Sequence, residues 1–107
     1  MALTMKRHDT RTAIKAALKS PKGLPVNLSN TTVKFTMAKY RNGAVLVDRE
    51  AITLDAVNGV VCFVFEQEET TTLGMMKAEF EVKYEDGSIE KFPNQGYILI
   101  NFEADLA

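Results

Sequence analysis

Met75-Met76-Lys77-Ala78-Glu79-Phe80-Glu81-Val82-Lys83-Tyr84 is the stretch whose reading decides the fold. Met76, Ala78, Phe80, Val82 and Tyr84 fall on one side at a spacing of two, and Lys77, Glu79, Glu81 and Lys83 fall on the other. Side chains alternate across a strand, so the run predicts a long β-strand with one buried and one wet face. A helix would gather Met76, Phe80 and Tyr84 but swing Val82 away from them. Asp86-Gly87 follows, a pair that supplies the positive φ angles of a tight hairpin turn.

Downstream, Ile89–Phe92 reads as the return strand, Pro93-Asn94 as a break, and Tyr97 to about Phe102 as a last strand. Upstream lies Val60-Val61-Cys62-Phe63-Val64-Phe65, the most apolar run of the chain, with both faces greasy. Such a strand is either central in its sheet or covered on one face by a partner. Val61, Phe63 and Phe65 are the candidate interface residues on the second reading. The polar segment from Glu66 to Thr72 and then Leu73-Gly74 connect this run to the organising strand.

Earlier still, Val33, Phe35 and Met37 alternate with Lys34, Thr36 and Ala38, giving another half-buried strand. Asn42-Gly43 and Asn58-Gly59 are strong hairpin signals. Between them the β pattern continues through Val45 and Val47 and then, after Asp48-Arg49-Glu50, through Ile52 and Leu54. Leu24–Leu28 reads as a short extended piece turned by Ser29-Asn30. Thr12–Lys19 fits a helical face of Ile14, Ala17 and Leu18, or a strand with Ile14, Ala16 and Leu18 alternating. Pro21-Lys22-Gly23 leaves too few residues for an isolated helix, so strand is preferred. Residues 1–10 read as a flexible N-terminal lead carrying a small basic cluster, Lys6, Arg7, His8 and nearby Arg11. Residues 11–107 then form one domain. Seven to eight strands with regular turn signals and no helix of normal length predict an all-β, antiparallel, immunoglobulin-like β-sandwich.

The chain has 107 residues, 46% hydrophobic and 25% charged, which suits one small globular core. A net charge of −1 gives no broad electrostatic reason to bind nucleic acid or anionic lipid. No apolar run reaches the length of a membrane-spanning helix, and the N-terminus lacks the apolar core of a secretory signal. The expectation is synthesis in the cytoplasm, with no membrane partner. Cys62 is the single cysteine, so neither an internal disulfide nor a multi-cysteine zinc site is available within one chain.

Signs of catalysis are equally sparse. Glu66, Glu68 and Glu69 lack the oxygen spacing and turn glycine of a calcium loop and read as a solvated loop. Glu79 and Glu81 are interleaved with lysines on one strand face, which suits cross-strand charge pairing better than acid–base work. His8, the one histidine, lies in the lead, where a Ser-His-Asp or Cys-His site would need a rigid terminal loop. Cys62 sits between Val61 and Phe63 and reads as an inert core or interface residue. Asn27-Leu28-Ser29 and Asn30-Thr31-Thr32 match the glycosylation sequon, which without a secretion signal is accidental. Every glycine falls at a turn, so no phosphate loop is present. Tyr40, Tyr84 and Tyr97 show no stacking platform with basic neighbours. No enzyme and no cofactor are implied.

Gly23-Leu24-Pro25-Val26-Asn27-Leu28 followed by Thr32-Val33-Lys34-Phe35-Thr36-Met37 resembles the opening of the N-terminal domain of phage baseplate upper proteins. Asn58-Gly59-Val60-Val61, Leu73-Gly74, Ala78-Glu79-Phe80-Glu81-Val82 and Tyr84-Glu85-Asp86-Gly87 with Phe92-Pro93 continue the likeness in order, over residues 10 to 104. The resemblance implies an immunoglobulin-like sandwich in tails of phages and prophages of Gram-positive bacteria. It also implies a non-enzymatic docking module without catalytic residues. The partners would be other tail and baseplate proteins, with a homo-oligomer as a further association. The location would be the virion tail, with the host cytoplasm during assembly. Two departures stand out: Met76 occupies a position where the family often has an aromatic, and the chain stops at Ala107 where members usually continue into a fibre-forming region. A free-standing component and a fragment of a longer fibre protein both remain open. The alternative from another class is a carbohydrate-binding module for the host cell wall, against which stand the lack of Trp and the core alternation of most aromatics.

Overall fold

A computed structural model describes residues 2–106. Among the described residues, nine strands run in the order β1 (Ala2–Lys6), β2 (Ala13–Ala17), β3 (Thr32–Lys39), β4 (Val45–Glu50), β5 (Ile52–Asp55), β6 (Val60–Val64), β7 (Gly74–Lys83), β8 (Ile89–Phe92) and β9 (Ile98–Glu103). A 3-10 turn, Gln67–Thr70, follows β6. The strands form two sheets. The six-stranded sheet has the order β1-β9-β7-β3-β4 with β8 also beside β7, and the three-stranded sheet has the order β2-β6-β5. The molecule is an all-β sandwich.

β7 behaves as its alternation predicts. Met76, Ala78, Phe80 and Val82 are buried, while Lys77, Glu79 and Glu81 stand on the outer face. β3 pairs along it in register, Phe35 opposite Phe80 and Val33 opposite Val82, so the two apolar rows reinforce each other. On the other flank, β9 takes the first half of β7 and β8 the second, with the cis peptide bond Phe92–Pro93 between them. The Asp86-Gly87 turn is a three-residue loop. Tyr84 N–H donates to Ser88 O, and Gly87 alone carries positive φ, +89°.

The core is dominated by phenylalanines that bridge the sheets. Phe35 of β3 stacks on Phe63 of β6 with ring centroids 4.3 Å apart, and Phe80 meets Phe35 edge-on at 5.1 Å. Phe65, just past β6, meets Phe102 of β9 edge-on at 5.9 Å. Burying each such ring contributes about 1.5–3 kcal/mol, with a further increment for favourable ring geometry.

Gly59 closes the turn into β6. A Cβ there would lie 2.7 Å from both the Leu18 and Val26 carbonyl oxygens, and the residue has φ +69°. The tight fit joins three segments: Leu18 N–H donates to Gly59 O, and Val26 N–H donates to Leu18 O.

Two sequence expectations change. The lead is not loose over Ala2–Lys6: these residues form β1, paired in parallel with β9, with Met5 buried opposite Phe102. Leu3 and Met5 alternate with Thr4 and Lys6, but five residues at the chain start are too short a run to stand out. Met1 lies outside the described residues. Leu24–Leu28 makes only an isolated bridge, Lys19 with Pro25, while Val26 and Leu28 still pack against the core. Thr12–Lys19 is strand over Ala13–Ala17.

Candidate functional site

β6 is the central strand of the three-stranded sheet, and its alternation separates two sets of side chains. Val61, Phe63 and Phe65, the expected interface set, point inward and are at most 3% exposed. Phe35 and Phe102 cover their rings, so a partner could reach them only by opening the sandwich. The outward set is Val60, Cys62 and Val64. Cys62 is buried, with Lys15 of β2 and Ile52 of β5 as its register partners on either side. Val64 is exposed, as are Ile52, Leu54 and Val57 on the neighbouring edge. Exposed apolar side chains therefore gather toward the β5 edge of the smaller sheet, while Lys15 of β2 shares its outer face. Composition alone could not tell the inner from the outer face of β6, since both are apolar.

The other sheet presents a different outer face. Lys34 pairs with Asp48 at 3.1 Å, and Lys91 pairs with Glu81 at 2.6 Å and Glu79 at 3.6 Å. The cross-strand charge pairing anticipated for Glu79 and Glu81 is present. The Lys91 hydrogen bond holds the Glu81 carboxyl below its ordinary range.

The acidic group after β6 is structural at Glu69. Arg49 of β4 lies over Phe63 of β6, its guanidinium 4.3 Å from the ring centre. It donates twice to Glu69, at 2.8 and 2.7 Å, and once to Val64 O at 2.8 Å. The Glu66 N–H donates to the same carboxylate at 2.7 Å. Burial pushes Glu69 up, but the bonds from Arg49 and Glu66 together with the Arg49 charge outweigh it and leave the carboxyl below its ordinary range. Among the described residues no group of three or more His, Cys, Asp and Glu side chains could hold a metal ion.

His8 is fixed at the end of β1. Its Nδ1 lies 2.7 Å from Asp105 Oδ2, while Arg7 donates to Asp105 Oδ1 at 3.1 and 2.9 Å. The bonds from His8 and then Arg7 lower the Asp105 carboxyl. This cluster ties β1 to the segment after β9.

The tyrosines separate. Tyr84 donates to Glu90 at 2.7 Å, and burial followed by this acidic neighbour pushes its hydroxyl up to about 12. Tyr40 and Tyr97 are instead exposed and flank Lys77, whose ammonium lies 6.0 and 5.0 Å from the two ring centres. A basic residue between two aromatic rings is thus present on the outer face of the larger sheet, contrary to the sequence expectation. Strand register creates it, since Lys77 of β7 sits between Ala38 of β3 and Leu99 of β9.

Residues 4–94 match the family model described as the BppU N-terminal domain. The chain belongs to the baseplate upper protein N-terminal domain family. It is accordingly a structural domain of the phage tail and baseplate, with the virion tail as its location. Among solved structures it is similar to the N-terminal domain of phage TP901-1 ORF48, with TM-score 0.66 and 18% identity over 98% of this chain and 85% of that one. It is also similar to CopC from Methylosinus trichosporium OB3b, with TM-score 0.58 and 12% identity over 98% of this chain and 86% of that one. At these identities both likenesses concern the fold. No curated protein matches the chain.

Proposed function

We propose that this domain is a non-enzymatic docking module that holds neighbouring tail proteins against the outer face of its three-stranded sheet. The observation that carries this reading is the exposed apolar patch of Ile52, Leu54, Val57 and Val64, on a molecule whose larger sheet neutralises its outer face with ion pairs. A clustered apolar surface is favourable when a partner removes it from water. The partners are other baseplate and tail proteins, with a second copy of the chain as a further occupant. Assembly takes place in the host cytoplasm. Mass spectrometry of purified particles after prophage induction tests the assignment. Stoichiometric copies in the particle are expected, and a chain found only in the lysate would sink it.

A second reading, carbohydrate binding, draws support from Tyr40, Lys77 and Tyr97. Two exposed rings offer stacking surfaces for a sugar, and the ammonium between them offers a donor. A cell-wall pull-down with the Tyr40→Ala, Tyr97→Ala double variant discriminates. Retention of the wild type with loss of the variant favours the glycan reading, and no retention of the wild type removes it.

A further inference from the structure

The two sheets are unequal in width, and the mismatch falls on one side. Beyond β2, an edge of the smaller sheet, β9 and β1 of the larger sheet are covered at Met5, Ile100 and Phe102 but only partly covered at their Leu3 and Ile98 ends. The partly covered ends border a cleft of about 500 Å³ whose walls include Leu3 of β1, Ile14 and Ala16 of β2, and Ile98 of β9. A second cleft of about 310 Å³ shares Ala16, Ala17, Pro93 and Ile98 with it and extends it toward Phe80 and Phe92. The result is an apolar groove running beside an edge strand.

That edge strand also has open backbone. Leu18 N–H donates to Gly59 O, on the β6 side of the pair. Alternation along an antiparallel ladder then directs the N–H and C=O groups of Ala17, Lys15 and Ala13 away from β6, toward the groove. An added strand would lie about 4.8 Å beyond β2, above Leu3 and Ile98.

Charge selects the occupant. Between Asp9 and Asp48 the chain holds no acidic residue. Lys15 lies in β2, Arg11 at the bend just before it, Lys19 just past its end, and Lys22 in the turn that follows. None of these four belongs to an ion pair among the described residues. Lys15 on the edge strand, with Arg11 and Lys19 flanking it, repels a second basic edge, so β2 does not fit another copy of β2.

We infer that β2 takes an extended acidic segment of another tail protein by strand addition, with alternate apolar side chains of that segment filling the groove over Leu3, Ile14 and Ile98. Main-chain hydrogen bonds supply the hold, the groove selects small apolar side chains, and the four cations select acidic neighbours. The inference extends the docking reading to a second surface, and its test does not depend on the presence of the chain in particles.

The test is a titration of the purified chain, followed by amide NMR at low salt, with two blocked octapeptides: alternating Glu-Val and alternating Lys-Val. The Glu-Val peptide is expected to shift the amides of Ala13, Lys15 and Ala17 and to bind about tenfold more tightly than its basic counterpart. Lys15→Pro removes one outward N–H while leaving the β6 side of the ladder intact, and should weaken binding about tenfold. The Lys15→Glu, Lys19→Glu double variant keeps every backbone group and should reverse the preference between the peptides. Absence of shifts at β2, shifts centred elsewhere, or equal binding of the two peptides would overturn the inference.

Discussion

The outer faces of the two sheets are built from the same kind of strand and finished in opposite ways. On the larger sheet, the polar side chains of β3, β4, β7 and β8 meet across strands, and Lys34, Asp48, Glu79, Glu81 and Lys91 satisfy one another. On the smaller sheet, the outward positions of β5 and β6 include exposed Ile52, Leu54, Asp55 and Val64, half-buried Val60 and buried Cys62. The first face pairs its charges across strands, with Tyr40, Val45, Met75, Ile89 and Tyr97 exposed on or beside it, and the second gains free energy when its apolar side chains are covered. On the docking reading proposed above, the smaller sheet is the face offered for contact.

The largest expected effect comes from crossing from one face of β6 to the other. Phe63→Ala should lose about 3–5 kcal/mol of stability, because the ring fills the space between Phe35 and Phe65. Val64→Ala, one residue away but exposed, should change stability by less than about 1 kcal/mol. Urea denaturation of the two variants measures both, and equal losses would erase the distinction between inner and outer positions.

Arg49→Met comes next, since it keeps the cover over Phe63 but leaves Glu69 without its cation. A loss of about 1–2 kcal/mol is expected, reduced from the value for a fully buried charged pair because Arg49 is partly exposed. The same carboxylate gives a pH signature. Glu69 and Asp105 both sit below their ordinary 4.5 and 3.8 in the folded chain, so the unfolded chain binds more protons as the pH falls. Their contribution is complete above the ordinary values and is lost as pH falls through the depressed ones. Urea midpoints measured from neutral pH down to about pH 3 should decline, and Glu69→Gln should flatten part of that decline. The smallest effect belongs to the larger sheet's outer face: Lys91→Ala should cost less than about 1 kcal/mol in the same assay, less still at high salt.

How much of this was legible depended on how local each signal was. β7 and the turn at Gly87 could be read directly, because alternation and turn chemistry are properties of neighbouring residues. β1 was missed because its five residues gain meaning only beside β9, at the far end of the chain. Val61, Phe63 and Phe65 fit either a central strand or an interface in the sequence, because a strand apolar on both faces does not reveal which face is inside. The stacking of Phe63 on Phe35 decides it. Arg49 carries no sequence signal for its role, since β4 and the turn at Glu69 meet only once the sheets pack. Tyr40 and Tyr97 come together around Lys77 through strand register alone.

The measurement that tests the account most directly is the incorporation of an Ile52→Asp, Leu54→Asp double variant into phage particles, read by quantitative mass spectrometry beside the wild type. Both side chains are more than half exposed, so the variant should retain the wild-type circular dichroism spectrum and come close to its urea midpoint. The account predicts a folded variant that is missing from particles that contain the wild type. A folded variant incorporated at the wild-type level would contradict it.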